Sequence, residues 1–179
     1  PSRHRIVSTR PGAVLAYQRM LNAHRMLQSL LFRSAQTMLD NIDAEFLSPR
    51  DQVLRIDLQA LTRSYGEWDN FYPDRFLEMY QVISFEDASL EVFRLRAGQW
   101  EVIERLSEEI TSNQQGAHII VDLYNNGCRR LGLGRTEDAM ARLYRALEML
   151  AQWVLMRDYQ IDTNDVDTRR IPPRDRVTY

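Results

Sequence analysis

At 179 residues with 44% apolar and 27% charged side chains, the chain can bury one good core, so one domain is the default. Seven glycines and six prolines are few for this length, and the abundance of Leu, Ala, Arg, Glu, Met and Gln favours helix and argues against an all-β fold. The 23 basic and 25 acidic residues nearly cancel at a formal charge of -2, which excludes a global field for nucleic acid and confines any RNA contact to a local patch.

The polar, Arg-rich stretch Pro1 to Arg10 has no apolar centre of the kind a signal peptide needs, and reads as a linker or a trimmed tag. From Val14 to Leu39 the residues Tyr17, Met20, Leu21, Leu27, Leu31, Ala35 and Met38 recur three or four apart, predicting a long first helix. Ser48 before Pro49 is an N-cap followed by an N1 proline, and Val53, Leu54, Leu58 and Leu61 carry a second helix to about Tyr65, with Gly66 as its break. Tyr72-Pro73-Asp74 restarts a third through Phe76, Leu77, Tyr80 and Ile83. The aromatic cluster Trp68, Phe71 and Tyr72 can stack bases but at a helix start more often plugs a core.

A fourth helical stretch runs from Glu86 to Ser112, with Ala97-Gly98 as its weak point. A fifth spans about Ala117 to Leu131 and ends at Leu131-Gly132-Leu133-Gly134, where two glycines can take positive φ. The sixth starts at Thr136, a capping residue, with Glu137 and Asp138 in its first turn, and an inner stripe of Ala139, Met140, Leu143, Leu147, Leu150, Ala151 and Val154. Beyond Tyr159 the tail with Asp162, Asp165, Asp167, Pro172 and Pro173 has no period and is expected to be extended or disordered. The fold class is therefore all-α, about six helices in a bundle: a linker over 1–12, a helical effector or coupling domain over 13–160, and a tail over 161–179.

The single cysteine, Cys128, excludes an internal disulfide and a Cys-rich zinc site and fits a reducing, cytoplasmic setting. It lies beside Tyr124 and Leu131 on an apolar face, as a buried, inert thiol would. His118 stands one turn before Asp122 without further His or Cys nearby, so no metal and no cofactor is expected. Apolar runs are short and broken by charges, so no membrane span is expected either. Arg129, Arg130, Arg142 and Arg145 crowd the last two helices, where guanidinium forks can hold RNA phosphates or pair with neighbours such as Glu148 and Asp122.

The passages Tyr124 to Arg130, Gly134 to Ala139, Ala141 to Glu148 and Ala151-Gln152 resemble the helical C-terminal part of CRISPR-associated CARF proteins of type III systems, accessory effectors that sense ring nucleotides. Asn22 to Asn41 is similar to that family's first helical hairpin, and Trp68-Asp69-Asn70-Phe71 to its Trp-Asp-x-Phe segment. The resemblance implies a homodimer in antiviral defence. A Rossmann-like sensor domain, without counterpart before residue 14, would bind cyclic oligoadenylate, and a HEPN-type helical part would cut single-stranded RNA without a metal. The HEPN signature, an Arg followed four to six residues later by a His, is expected after the sixth helix and its tail, where this chain ends at Tyr179.

Within the chain, Arg19 and His24 match that spacing, Arg19 as stabiliser of the cleaved phosphate and His24 as acid or base for the ribose hydroxyl. On one regular helix they point about 140° apart, so a catalytic pair would need one group from each of two copies. The alternative is a non-catalytic helical interaction module of tetratricopeptide type. The spacing of Gly134, Ala139, Tyr144 and Ala146 suits that packing, although no second copy of the unit is visible.

Overall fold

The computed structural model describes residues 11–112, 116–163 and 165. Among these the fold is all-α: seven α-helices and two 3-10 turns, no strand, and one isolated bridge between Asp162 and Asp165. The chain divides into two compact units, Pro1–Ala97 and Gly98–Tyr179, where the composition alone suggested one domain over 13–160. Nearly all of the linker and most of the tail lie outside the described residues.

The first unit holds four α-helices. Helix α1 (Pro11–Gln28) opens on a proline, whose fixed φ and missing N–H suit a first helical position. The predicted helix from Val14 to Leu39 is in fact two, because Leu30 takes φ 61° and the Leu31 N–H bonds back to Met26 O at 2.9 Å. Helix α2 (Phe32–Asp40) then returns along α1. Periodicity runs through this break because both helices bury a face: Ala16, Met20, Ala23 and Leu27 on α1, Ala35 and Leu39 on α2. Tyr17, Leu21 and Leu31, which the sequence pattern put in the stripe, are exposed.

Helix α3 (Pro49–Asp69) starts as the sequence predicts: the Ser48 hydroxyl accepts the Asp51 N–H at 3.2 Å and Pro49 follows. It runs through Gly66, because one glycine costs a helix only about 1 kcal/mol and long flanking turns absorb it. The stop comes at Phe71, with φ 67°, ahead of Pro73 and α4 (Pro73–Tyr80). Asp87 caps a 3-10 turn over Ala88–Phe93; the Ser89 N–H and hydroxyl, with Arg50 added, hold its carboxyl below the usual carboxylate range.

An aromatic knot ties these pieces together. Phe76 is fully buried against Trp68 and Tyr80, with ring centroids 5.1 and 5.2 Å away. Tyr80 donates its hydroxyl to Phe93 O at 2.8 Å and accepts the Leu95 N–H at 2.6 Å, while the Tyr65 hydroxyl also donates to Phe93 O. Burial pushes the Tyr65 phenol well above its ordinary pKa and raises that of Tyr80 as well. Buried Asp57 accepts the Ser84 N–H and hydroxyl, anchoring the chain after α4 to α3. Trp68 thus serves the core, as its place at a helix junction suggested, whereas Tyr72 is exposed under the Arg75 guanidinium.

The second unit consists of α5 (Ala97–Thr111), α6 (Ala117–Gly132) and α7 (Thr136–Tyr159). The fourth predicted stretch accordingly splits into the 3-10 turn and α5, with Arg94 to Arg96 between them. Helix α7 begins where expected, although Arg135 holds the N-cap position and no side chain caps it. It ends at Gln160 in the left-handed region, φ 55°. No helix among the described residues is long and apolar enough to cross a membrane.

Candidate functional site

The site-bearing element is the antiparallel pair α6 and α7. Gly134, at φ 71°, makes the turn that joins them, and the Arg135 N–H closes it on Arg130 O at 2.9 Å. The helices approach closely at Gly127, where a Cβ would lie 2.8 Å from Leu143 Cγ and Cδ2 and 3.4 Å from Ala139 O. Small residues therefore form the contact, and Ala139 and Ala146 are buried.

Part of the expected stripe of α7 faces this contact, with Ala139 buried and Leu143 against Gly127, and part turns outward. Met140, Leu147 and Leu150 are exposed, Leu147 at 65%, and the buried residues are Ala139, Ala146 and Met149. On α6, Ile120, Leu123 and Gly127 are buried, whereas Val121, Tyr124 and Leu131 are exposed, and Cys128 between them is exposed as well, not buried. At about 100° per residue from the contact of Gly127 with Leu143, both outer stripes fall on one side of the antiparallel pair. The hairpin thus presents an apolar face made of Val121, Tyr124, Cys128 and Leu131 with Met140, Tyr144 and Leu147.

Beside Ile120, Leu123 and Gly127, the inner side of α6 carries a polar row. Asp122, Asn126 and Arg130 follow one another at single-turn spacing and are 7%, 0% and 5% exposed. Arg130, a candidate for phosphate contact, thereby lies inside the fold. Arg129 and Arg142 are half-buried, and Arg145 is exposed with its Nη1 2.8 Å from Glu148 Oε2, the pairing its spacing suggested.

The far side of α7 opens into a groove of about 850 Å³ that the sequence reading missed. Ile110, Ile119, Met149 and Ile161 contribute its apolar lining, with Trp153 and Gln152 from α7. Arg145 and Arg157 stand along it, and the Arg157 guanidinium lies 4.3 Å from the Trp153 ring centroid while binding Asp158 through two nitrogens. The signal in the sequence was the tryptophan one turn before an arginine on the same helix. At the groove's end, Glu109 accepts the Ile119 N–H at 3.0 Å and meets His118 Nδ1 at 2.6 Å. That carboxylate is engaged with the α6 N-terminus, where the helix dipole favours an anion. His118 thus faces Glu109, and no cluster of three His, Cys, Asp or Glu suited to a metal occurs among the described residues.

Arg19 and His24 belong to α1, in the other unit. Arg19 Nη1 donates to Asn41 O at 2.6 Å, at the end of α2. His24 Nε2 lies 3.1 Å from Ser89 O and its ring packs edge-on to Phe93 at 5.3 Å. Within one copy the two side chains are thus held by different carbonyls on different elements.

No curated protein and no solved structure matches the chain. The segment resembling the CRISPR-associated family from Tyr124 to Gln152 falls within one family match, while Asn22 to Asn41 and Trp68 to Phe71 fall outside it. That match covers the end of α5, the whole α6 and α7 pair, and residues lining the groove: residues 109–177 match the Csm6 HEPN domain, a CRISPR-associated HEPN family.

Proposed function

We propose that the chain is the helical part of a cytoplasmic, CRISPR-associated effector of antiviral defence that targets single-stranded RNA and couples a cyclic-oligoadenylate sensor to HEPN-type cleavage. The observation that carries this reading is the family match over 109–177, which falls on the hairpin α6 and α7. The sensor would be a separate CARF domain; nothing among the described helices offers it a counterpart. Cleavage without a metal needs an Arg to hold the phosphate and a His to move the proton. In this reading Arg19 and His24 can act together only with one group from each of two copies, since each is tied to its own carbonyl within a copy. The exposed apolar face of the hairpin supports a homodimer, because a patch of this composition on one side of two helices is costly to leave in water. Arg145 supplies a surface cation for RNA, with Arg129 and Arg142 half-buried and Arg130 inside the fold.

The test incubates a fluorescent single-stranded RNA with the chain at high concentration in chelator, beside His24→Ala. The expected result is RNA bound by both proteins and cut by neither, with no cyclic oligoadenylate binding. Cleavage that disappears in His24→Ala would move the chemistry into this chain. RNA neither bound nor cut would overturn the RNA-targeting reading.

A further inference from the structure

The groove on the far side of α7 has the composition of a nucleic-acid subsite, and of the arginines read from the sequence it takes in Arg145 alone. Resting on the RNA-targeting reading above, we infer that this groove binds a short run of single-stranded RNA, with one base stacked at Trp153 and phosphates held by Arg145 and Arg157.

Three observations carry it. First, its volume of about 850 Å³ is far more than a side chain fills, and it joins an apolar lining of Ile119, Met149 and Ile161 to an indole, the mixture that a base face and its sugar require. Second, Arg145 and Arg157 lie twelve residues apart on one helix, so their Cα atoms stand about 18 Å apart along the axis. That span matches several nucleotides of an extended strand and is too long for one free nucleotide or a small metabolite. Third, both arginines pair with exposed acids of their own helix, Glu148 and Asp158, so their guanidinium groups stand at the surface within reach of a phosphate. The single-contact pair of Arg145 with Glu148 contributes little and exchanges readily for a phosphate, while Arg157 is oriented by the Trp153 ring as well as by Asp158.

Of the acidic groups of the groove, Glu109 is engaged with the α6 N-terminus and His118. Arg157 packs on the indole at 4.3 Å, so its guanidinium already holds the geometry that sandwiches a cation, a ring and a base.

The experiment is photocrosslinking of the full chain to a single-stranded RNA carrying 4-thiouridine, with the adduct mapped by mass spectrometry, beside anisotropy titrations of wild type, Trp153→Phe, Trp153→Ala and Arg157→Gln. We expect the adduct at or next to Trp153, affinity weakened at least about tenfold by Trp153→Ala and largely restored by Trp153→Phe, and a shallower salt dependence for Arg157→Gln. The adduct is read on wild-type protein, so a poorly folded variant leaves the inference testable. RNA that binds but crosslinks only elsewhere, with Trp153→Phe and Trp153→Ala both at wild-type affinity, overturns the groove and leaves the RNA-targeting reading standing. No binding by wild type overturns both.

Discussion

Replacing Gly127 by alanine separates two opposing effects whose sum the structure fixes. Alanine in a helix interior gains about 0.5–1 kcal/mol over glycine through the unfolded chain's lost freedom. At Gly127 the new Cβ would sit 2.8 Å from two atoms of Leu143 and 3.4 Å from Ala139 O. Leu143 must move at its branch point, not only at a methyl tip, and the carbonyl belongs to the backbone of α7, so overpacking costs about 1–3 kcal/mol. The net is a loss of about 1 kcal/mol. Gly66, inside α3, is the internal control, since its Cβ would meet only Phe32 Cβ at an ordinary 3.7 Å. Gly66→Ala should therefore stabilise by about 0.5 kcal/mol or more. Urea denaturation with unchanged slope reads both. In the double variant Gly127→Ala with Leu143→Ala, the overpacking should vanish and the helix gain remain, giving a coupling of about 1.5–2 kcal/mol. Equal shifts at Gly127 and Gly66, without coupling to Leu143, would refute the close approach of α6 and α7.

The outward part of the α7 stripe makes a second test: Leu147→Ala, 65% exposed, should move stability by less than about 0.5 kcal/mol at protein concentrations that keep the chain monomeric, while Leu39→Ala or Leu61→Ala, fully buried, should each cost about 2–5 kcal/mol by the same denaturation measurement. Tyr80→Phe removes the acceptor of the Leu95 N–H and one donor to Phe93 O, and should cost about 1–3 kcal/mol in thermal unfolding. Tyr65 and Tyr80 have phenols raised by burial, so the stability of their neutral forms is complete below the unfolded value of about 10 and is lost as pH rises through the folded values. An alkaline titration followed by tyrosinate absorbance and circular dichroism should therefore show these two phenols ionising together with unfolding; early ionisation in a folded protein would count against their burial.

Helix type, the cap at Ser48, the proline starts and the Gly134 turn were legible because each depends on local chemistry. The breaks at Leu30 and Phe71 were not, since both are positive-φ positions occupied by side chains that rarely adopt them. Tertiary packing holds them, and no turn residue announces it. The facing of α6 and α7 was read only in part, for a different reason. Hydrophobic period shows that a helix has an apolar side but not how much of it is covered; here the tight contact uses Gly127 against Ala139 and Leu143, and Met140, Tyr144 and Leu147 look outward. Among the proposed RNA contacts, the clustering of arginines on the hairpin was readable, but which of them reach the surface was set by helix rotation. Arg145 is exposed while Arg130 is buried beside Asn126 and Asp122.

The central claim is that this helical chain engages single-stranded RNA through a local cationic site despite a net charge of -2. Anisotropy of a labelled single-stranded RNA titrated with the chain across a range of salt tests it most directly. The account predicts saturable binding at low salt whose affinity falls linearly, on logarithmic axes, with a slope of the few phosphates that local arginines neutralise. Absence of binding at low salt, or binding with no salt dependence, would contradict it.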